Sequence, residues 1–204
     1  MILGITIAFT IDKMAENRKE SREMKAAMES IMDDLRRDIR VFEKTQIPTN
    51  QERVDQLNYL LNEMKSESAN RDTMSVLVRQ ALGSMNSVVT SATYESLMAA
   101  GKLEDIPNVK VRRSIISYYQ GNIGQYLYLS QSNSAFLKEL SDHVSTVSDA
   151  FFTGDFGNPA LLEDQVFRNM LARWRNTIDF KVSEYERLVR ESKSLLALME
   201  KEFN

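Results

Sequence analysis

Apolar side chains recur three and four positions apart along most of the chain, the spacing that places them on one face of an α-helix. Over residues 12 to about 44 they are Met24, Met28, Ile31, Leu35, Ile39 and Phe42, set among nine Lys or Arg and nine Asp or Glu. No helix breaker separates Ile11 from Lys44, so one continuous helix is predicted, ending at Gln46 to Asn50 around Pro48. A second helix over about 51–66 carries Val54, Leu57, Leu61 and Met64, and the polar run Ser66 to Asp72 reads as a connector. A third, over about 73–88, carries Met74, Leu77, Val78, Ala81, Leu82 and Met85. The stretch TYESLMAAGKLEDIPN then predicts a short helix closed by Gly101 in a left-handed cap, with Pro107 forcing a break before the next element.

From about 108 to 151 the pattern is more regular. Val109, Ile116, Ile123, Ser130, Leu137, Val144 and Phe151 stand seven apart, followed three residues on by Arg112, Tyr119, Tyr126, Asn133, Leu140 and Val147. The seam predicts one coiled-coil-like helix interrupted by a polar layer at Ser130 and Asn133, which either fixes register by hydrogen bonding or marks a bend with a local water. Gly121 and Gly124 lie off the seam, where each loosens the helix by about 1 kcal/mol relative to Ala, and a kink is expected near them. TGDFGNP at 153–159 is a loop, with Asn158 and Pro159 as cap and first-turn residue for a last helical region over about 160–202. The apolar face of that region runs from Phe167, Leu171 and Trp174 to Leu195, Leu196 and Met199. The expected fold is all-α: an elongated antiparallel helical bundle with three long helices and several short ones. No alternating β pattern competes with it, and there is no internal repeat.

The first eleven residues differ in kind. MILGITIAFTI carries no charge before Asp12, and Gly4 and Ala8 have the small-xxx-small spacing that lets membrane helices approach closely. Eleven residues rise only about 17 Å, roughly half of a hydrocarbon core. Residues 1–11 therefore read as a partial transmembrane segment, with Ile2, Leu3, Gly4, Ile5, Ile7, Ala8, Phe9 and Ile11 as its membrane residues. Residues 12–204 form the helical bundle domain, whose first helix continues directly from the membrane segment. No basic stretch precedes the apolar run and a charged helix follows it, so a cleaved signal is not expected.

Composition narrows the chemistry. A chain of 204 residues can bury a core without cofactors or disulfides, and the absence of cysteine removes thiol nucleophiles and thiolate metal sites. A net charge of −3 gives no general case for nucleic acid.

IDKMAENRK at 11–19, following an Ile-rich run, resembles the junction I-N-N-W-N-E-x-R-K of an uncharacterised bacterial membrane-protein family, domain of unknown function 6090. The resemblance continues through TYESLMAAGKLEDIPNVKVRRSIISYY at 93–119 and FRNML at 167–171. It implies a single-pass protein of the bacterial inner membrane with a helical domain outside the lipid, and it implies no activity. The chain has Met14 where the family has Trp, which removes an interfacial aromatic. Orientation cues oppose each other. Lys13, Arg18, Lys19, Arg22 and Lys25 point to the cytoplasm, but they are interleaved with Asp12, Glu16, Glu20 and Glu23, whereas the family's upstream basic stretch is not; a periplasmic domain is the expectation.

Candidate chemistry is sparse. The lone histidine, His143, has Leu140 rather than Glu three residues before it, so the usual di-iron Glu-x-x-His site is excluded and a surface or boundary position is expected. Asp155, Phe156 and Gly157 spell a kinase tripeptide without any of its companion motifs and read as a turn. Gly121 to Gly124 has the spelling of the KH-domain clamp but lies inside a heptad helix. Tyr118, Tyr119, Tyr126 and Tyr128 read as core packing rather than a stacking platform, and Trp174 as core. No catalytic, cofactor or metal residues are assigned.

One charge pattern stands out. Glu16, Glu20 and Glu23 share one face of the first helix, and Arg18, Arg22 and Lys25 share nearly the opposite one. Like charges four apart destabilise a lone helix by a few tenths of a kcal/mol, so these six are candidate oligomer contacts, acidic face of one copy against basic face of another. The expected function is a membrane-anchored helical structural or interaction protein whose partners are the lipid bilayer and a second copy or another membrane protein. The alternatives are a sensor or signalling ectodomain and, more remotely, an oligomeric pore suggested by Thr6 and Thr10.

Overall fold

The computed structural model describes the backbone of residues 2–66, 70–83 and 89–203, and side chains over the same stretches from residue 12 onward. Every regular element among the described residues is helical. Helix α1 spans Ile2–Val41, α2 Ile47–Glu63, α3 Arg71–Leu82, α4 Ala92–Ala99, α5 Val109–Ile116, α6 Gly124–Val147, α7 Ala150–Thr153, α8 Pro159–Leu162 and α9 Gln165–Phe203.

Contacts divide the chain into two compact units. The first comprises residues 1–39, 89–121 and 190–204; the second comprises 40–88 and 122–189. The second unit has one continuous core, built by Val54, Leu57 and Leu60 of α2, Met74 and Val78 of α3, Phe136, Leu140 and Val144 of α6, and Phe167, Leu171, Trp174 and Ile178 of α9. The Trp174 indole N–H donates to the Ala81 carbonyl at 2.9 Å, satisfying one of the last carbonyls of α3 that helix geometry leaves without a partner. In the first unit, the predicted stripe of α1 is buried at Met28, Ile31, Leu35 and Ile39. Met32, Asp34 and Asp38 are buried as well.

Four predicted boundaries are corrected. The chain does not leave the helix at Gln46 to Asn50: α1 passes into a π-helix over Phe42–Gln46 and then into α2, with Pro48 in its first turn. Proline lacks an N–H and crowds the carbonyl four residues back. The wider π-turn directs the Ile47 N–H to the Phe42 carbonyl instead, and the buried Asn50 side chain donates to the Gln46 carbonyl at 2.7 Å.

Nor is 108–151 one α-helix. A π-helix at Ser117–Ile123 separates α5 from α6, and α6 ends at Val147. More residues per turn rotate the buried face, so α5 buries Val111 and Ile115 while Val109 is exposed. Beyond the π-turn the heptad phase holds at Ile123, Tyr126, Leu140 and Val144, but Phe136 replaces Leu137 in the core and Phe151 is exposed. The expected disturbance near Gly121 and Gly124 takes the form of this π-helix.

The last helical region is two helices. Asn158 caps α8, its side chain accepting from the Ala160 N–H, and Asp164 accepts from the Phe167 N–H at 2.6 Å to start α9. The third helix ends earlier than predicted, with Gly83 extended, and Met85 lies outside the described residues. Gly101 has the expected left-handed conformation (φ 68°), and Asn108 caps α5 by accepting from the Lys110 and Val111 N–H groups.

Candidate interaction surface

Residues 12–23 of α1 are helical and exposed at every position, and several of them form a wall of an open groove. Burial begins only at Met24, half-buried, and Met28, fully buried. Of the six candidate oligomer contacts, two are engaged within the chain. Glu23 accepts from Lys102 Nζ at 2.9 Å and lies 3.9 Å from Lys19, and Lys25 faces Glu29 at 3.9 Å. Lys102 holds the Glu23 carboxyl below its usual range, and Glu23 in turn raises the ammonium pKa of Lys102. Among the described residues, Glu16, Glu20, Arg18 and Arg22 make no ion pair; Arg22 Nε donates to the Arg18 carbonyl instead. Ile2, Leu3, Gly4, Ile5, Ile7, Ala8, Phe9 and Ile11, the residues expected to form a membrane segment, lie on the α1 backbone, and their side chains fall outside the described residues.

The acidic face of α1 is one wall of an open groove of about 850 Å³. Lys102, Asp105 and Pro107 form another part of the rim, and Glu202 and Phe203 of α9 close the end. Met24, Ala27 and Leu97 line it with apolar surface.

Each unit also holds a polar cluster of its own. In the first unit, Asp38 accepts from both the N–H and the hydroxyl of Thr90, each at 2.9 Å, and Asp34 accepts from the Thr93 hydroxyl at 2.8 Å and pairs with Arg37. These two carboxylates fasten the start of α4 to α1. Burial raises the Asp38 pKa despite the Thr90 bonds. Beside them Tyr94 stacks on Tyr119 at 4.4 Å between ring centroids, and Tyr118 shares a 2.7 Å hydrogen bond with Ser192. Burial pushes the Tyr118 hydroxyl up to about 12, and Tyr119 is raised further.

In the second unit, Phe42, Tyr126 and Tyr185 form an aromatic cluster, and Lys181 Nζ lies 5.5 Å from the Tyr185 ring centroid. Burial, reinforced by the Arg53 charge, brings Lys181 down to about 8. Ser130 and Asn133, the predicted polar layer, line a cavity of about 10 Å³ with Lys181 and Tyr185. The helix runs unbroken through both residues, so the expected alternative of a bend is not seen there.

The remaining candidates resolve as structure. His143 is partly buried, and its Nε2 meets Asp164 at 2.8 Å, tying α6 to the residue that caps α9. Gly157 packs so closely that a Cβ there would lie 2.5 Å from the Arg71 carbonyl oxygen, and Phe156 is buried with its N–H donating to Ser75. The Asp-Phe-Gly tripeptide is thus the corner that joins α3 to the loop before α8. Tyr118, Tyr119 and Tyr126 are buried as expected, whereas Tyr128 is exposed. The buried aspartates and Lys181 were missed in the sequence; their only signal was a charge one position from an apolar stripe. Among the described residues no cluster of three or more His, Cys, Asp or Glu is placed to hold a metal, and no helix is long and apolar enough to cross a membrane.

Comparison with known proteins adds no relative. No family model, curated protein or solved structure matches the chain.

Proposed function

We propose that this chain is a membrane-attached helical interaction protein, held at the bacterial inner membrane by the uncharged end of α1 with its helices as an antiparallel bundle on the periplasmic side. The observation that carries the reading is the stretch 12–23, helical, exposed at every position and continuous with the uncharged residues 2–11. In proteins a helix gains most of its stability from packing, so a twelve-residue stretch of α1 with every position exposed is best explained by a further surface that covers it. The uncharged run supports lipid at one end, and the resemblance of 11–19 and 93–119 to a single-pass family supports the same attachment.

The test is flotation of the full chain with phosphatidylethanolamine and phosphatidylglycerol vesicles. The wild type is expected to float and a variant with Ile5→Lys and Phe9→Lys to stay at the bottom, with equal circular dichroism. Equal flotation of the two would remove the attachment. A sensor ectodomain is the second reading, favoured by the π-helix Phe42–Gln46 at the end of the same helix, since π-turns mark points where helices shift. It predicts that a partner changes hydrogen exchange at 42–46.

A further inference from the structure

The groove and the bare helix are complementary in charge. Lys102 and Lys19 share Glu23, and Lys25 pairs with Glu29, which leaves Glu16, Glu20, Asp105 and Glu202 on the groove rim with no ion pair among the described residues. Glu20 and Asp105 act on Lys102 through space without pairing with it. On the far side of the same helix Arg18 and Arg22 stand four apart, exposed and also without an acidic partner. At 100° per residue, Arg18 and Arg22 average about 145° from the mean direction of Glu16, Glu20 and Glu23. The two faces therefore cannot satisfy each other within one chain, nor can both face a single partner across a two-fold axis.

We propose that the groove is the docking site for the α1 helix of a second copy of this chain, whose Arg18 and Arg22 seat against Glu16, Glu20 and Asp105 above the Met24–Leu97 floor. The contact is heterologous: each copy offers its groove to one neighbour and its basic face to another. Parallel helices rising from one membrane would present these two faces in the plane of the bilayer, where repeated contacts of this kind close a ring. The inference rests on the interaction-protein reading and names its partner; it does not need the lipid.

The experiment uses the full chain in detergent, sized by sedimentation. One variant carries Arg18→Gln and Arg22→Gln, which removes the basic face; another carries Glu20→Gln and Asp105→Asn, which removes the acidic rim of the groove. All four positions are exposed, so both variants are expected to keep wild-type circular dichroism and melting. The wild type should associate at low ionic strength and weaken by roughly tenfold or more at high salt. Each variant alone should be monomeric. An equimolar mixture should form a 1:1 complex and nothing larger, because it contains one intact groove and one intact basic face. A monomeric wild type at low salt, variants that associate like the wild type, or a mixture that stays monomeric would each overturn the proposal. Flotation reads the membrane attachment separately, since both variants leave residues 2–11 unchanged.

Discussion

Asp38 is buried and accepts two bonds from Thr90, yet its pKa is raised because desolvation outweighs them. A carboxyl whose folded pKa lies above its unfolded value binds more protons in the folded state. It therefore subtracts stability at neutral pH, and that deficit disappears as pH falls through the raised folded value. Asp38→Asn keeps an oxygen for the Thr90 N–H and removes the titration. The stability difference, variant minus wild type, is expected to shift against the variant between about pH 7 and pH 4 in urea denaturation. A difference constant across that range would show that Asp38 does not titrate in this way. Asp164 has the opposite sign: its His143 and Phe167 bonds lower its pKa, so its contribution is present at neutral pH and is lost in acid. Trp174 adds a third residue-level expectation. Trp174→Phe leaves the Ala81 carbonyl buried without its donor and should cost about 1–3 kcal/mol, read as a lower midpoint in chemical denaturation.

At the scale of elements, glycines separate two kinds of position. A Cβ at Gly124 would meet nothing within 4 Å, so Gly124→Ala is expected to stabilise α6 by up to about 1 kcal/mol. At Gly157 the Arg71 backbone stands in the way, and Gly157→Ala should destabilise by about 1–3 kcal/mol. Thermal melts of the two variants should move in opposite directions. What could be read from the sequence follows the same division. Caps at Gly101, Asn108 and Asn158 are local, and each has a side chain or backbone requirement visible within four residues, so they were legible. The apolar faces of α2, α3 and α9 were legible for the same reason, because helical spacing is a local signal. The π-helices were not, since a heptad count carried across 117–123 assumes a constant number of residues per turn. Val109 and Arg112 were placed on the seam, and Val111 and Ile115 took their place. The buried role of Asp34 and Asp38 depends on Thr90 and Thr93, more than fifty residues away, and no local pattern announces it. The groove joins α1 to Asp105 and Phe203 and was invisible for that reason, although its acidic wall was marked by Glu16, Glu20 and Glu23.

For the whole molecule, the first unit gathers three distant stretches of sequence and is complete only with residues 190–204. Those residues bring buried Ser192, Leu195 and Met199, and a 2.6 Å ion pair from Glu200 to Arg36. A chain ending at Val189 is expected to lose the first unit, with trypsin cutting at Arg112 and Arg113. The second unit contains the only tryptophan, so its emission reports that unit alone. It should keep a cooperative transition in the truncated chain; simultaneous loss of both signals would show that the two units fold only together.

The bare stretch of α1 also sets a length scale. Twelve helical residues measure about 18 Å, roughly twice the distance over which physiological salt screens a charge. For a chain attached by residues 2–11, the surface potential of the bilayer would have decayed almost completely before it reached Met28. Lipid composition would then act on the charges nearest residue 12, while those from Met28 onward along α1 would be governed by their neighbours in solution.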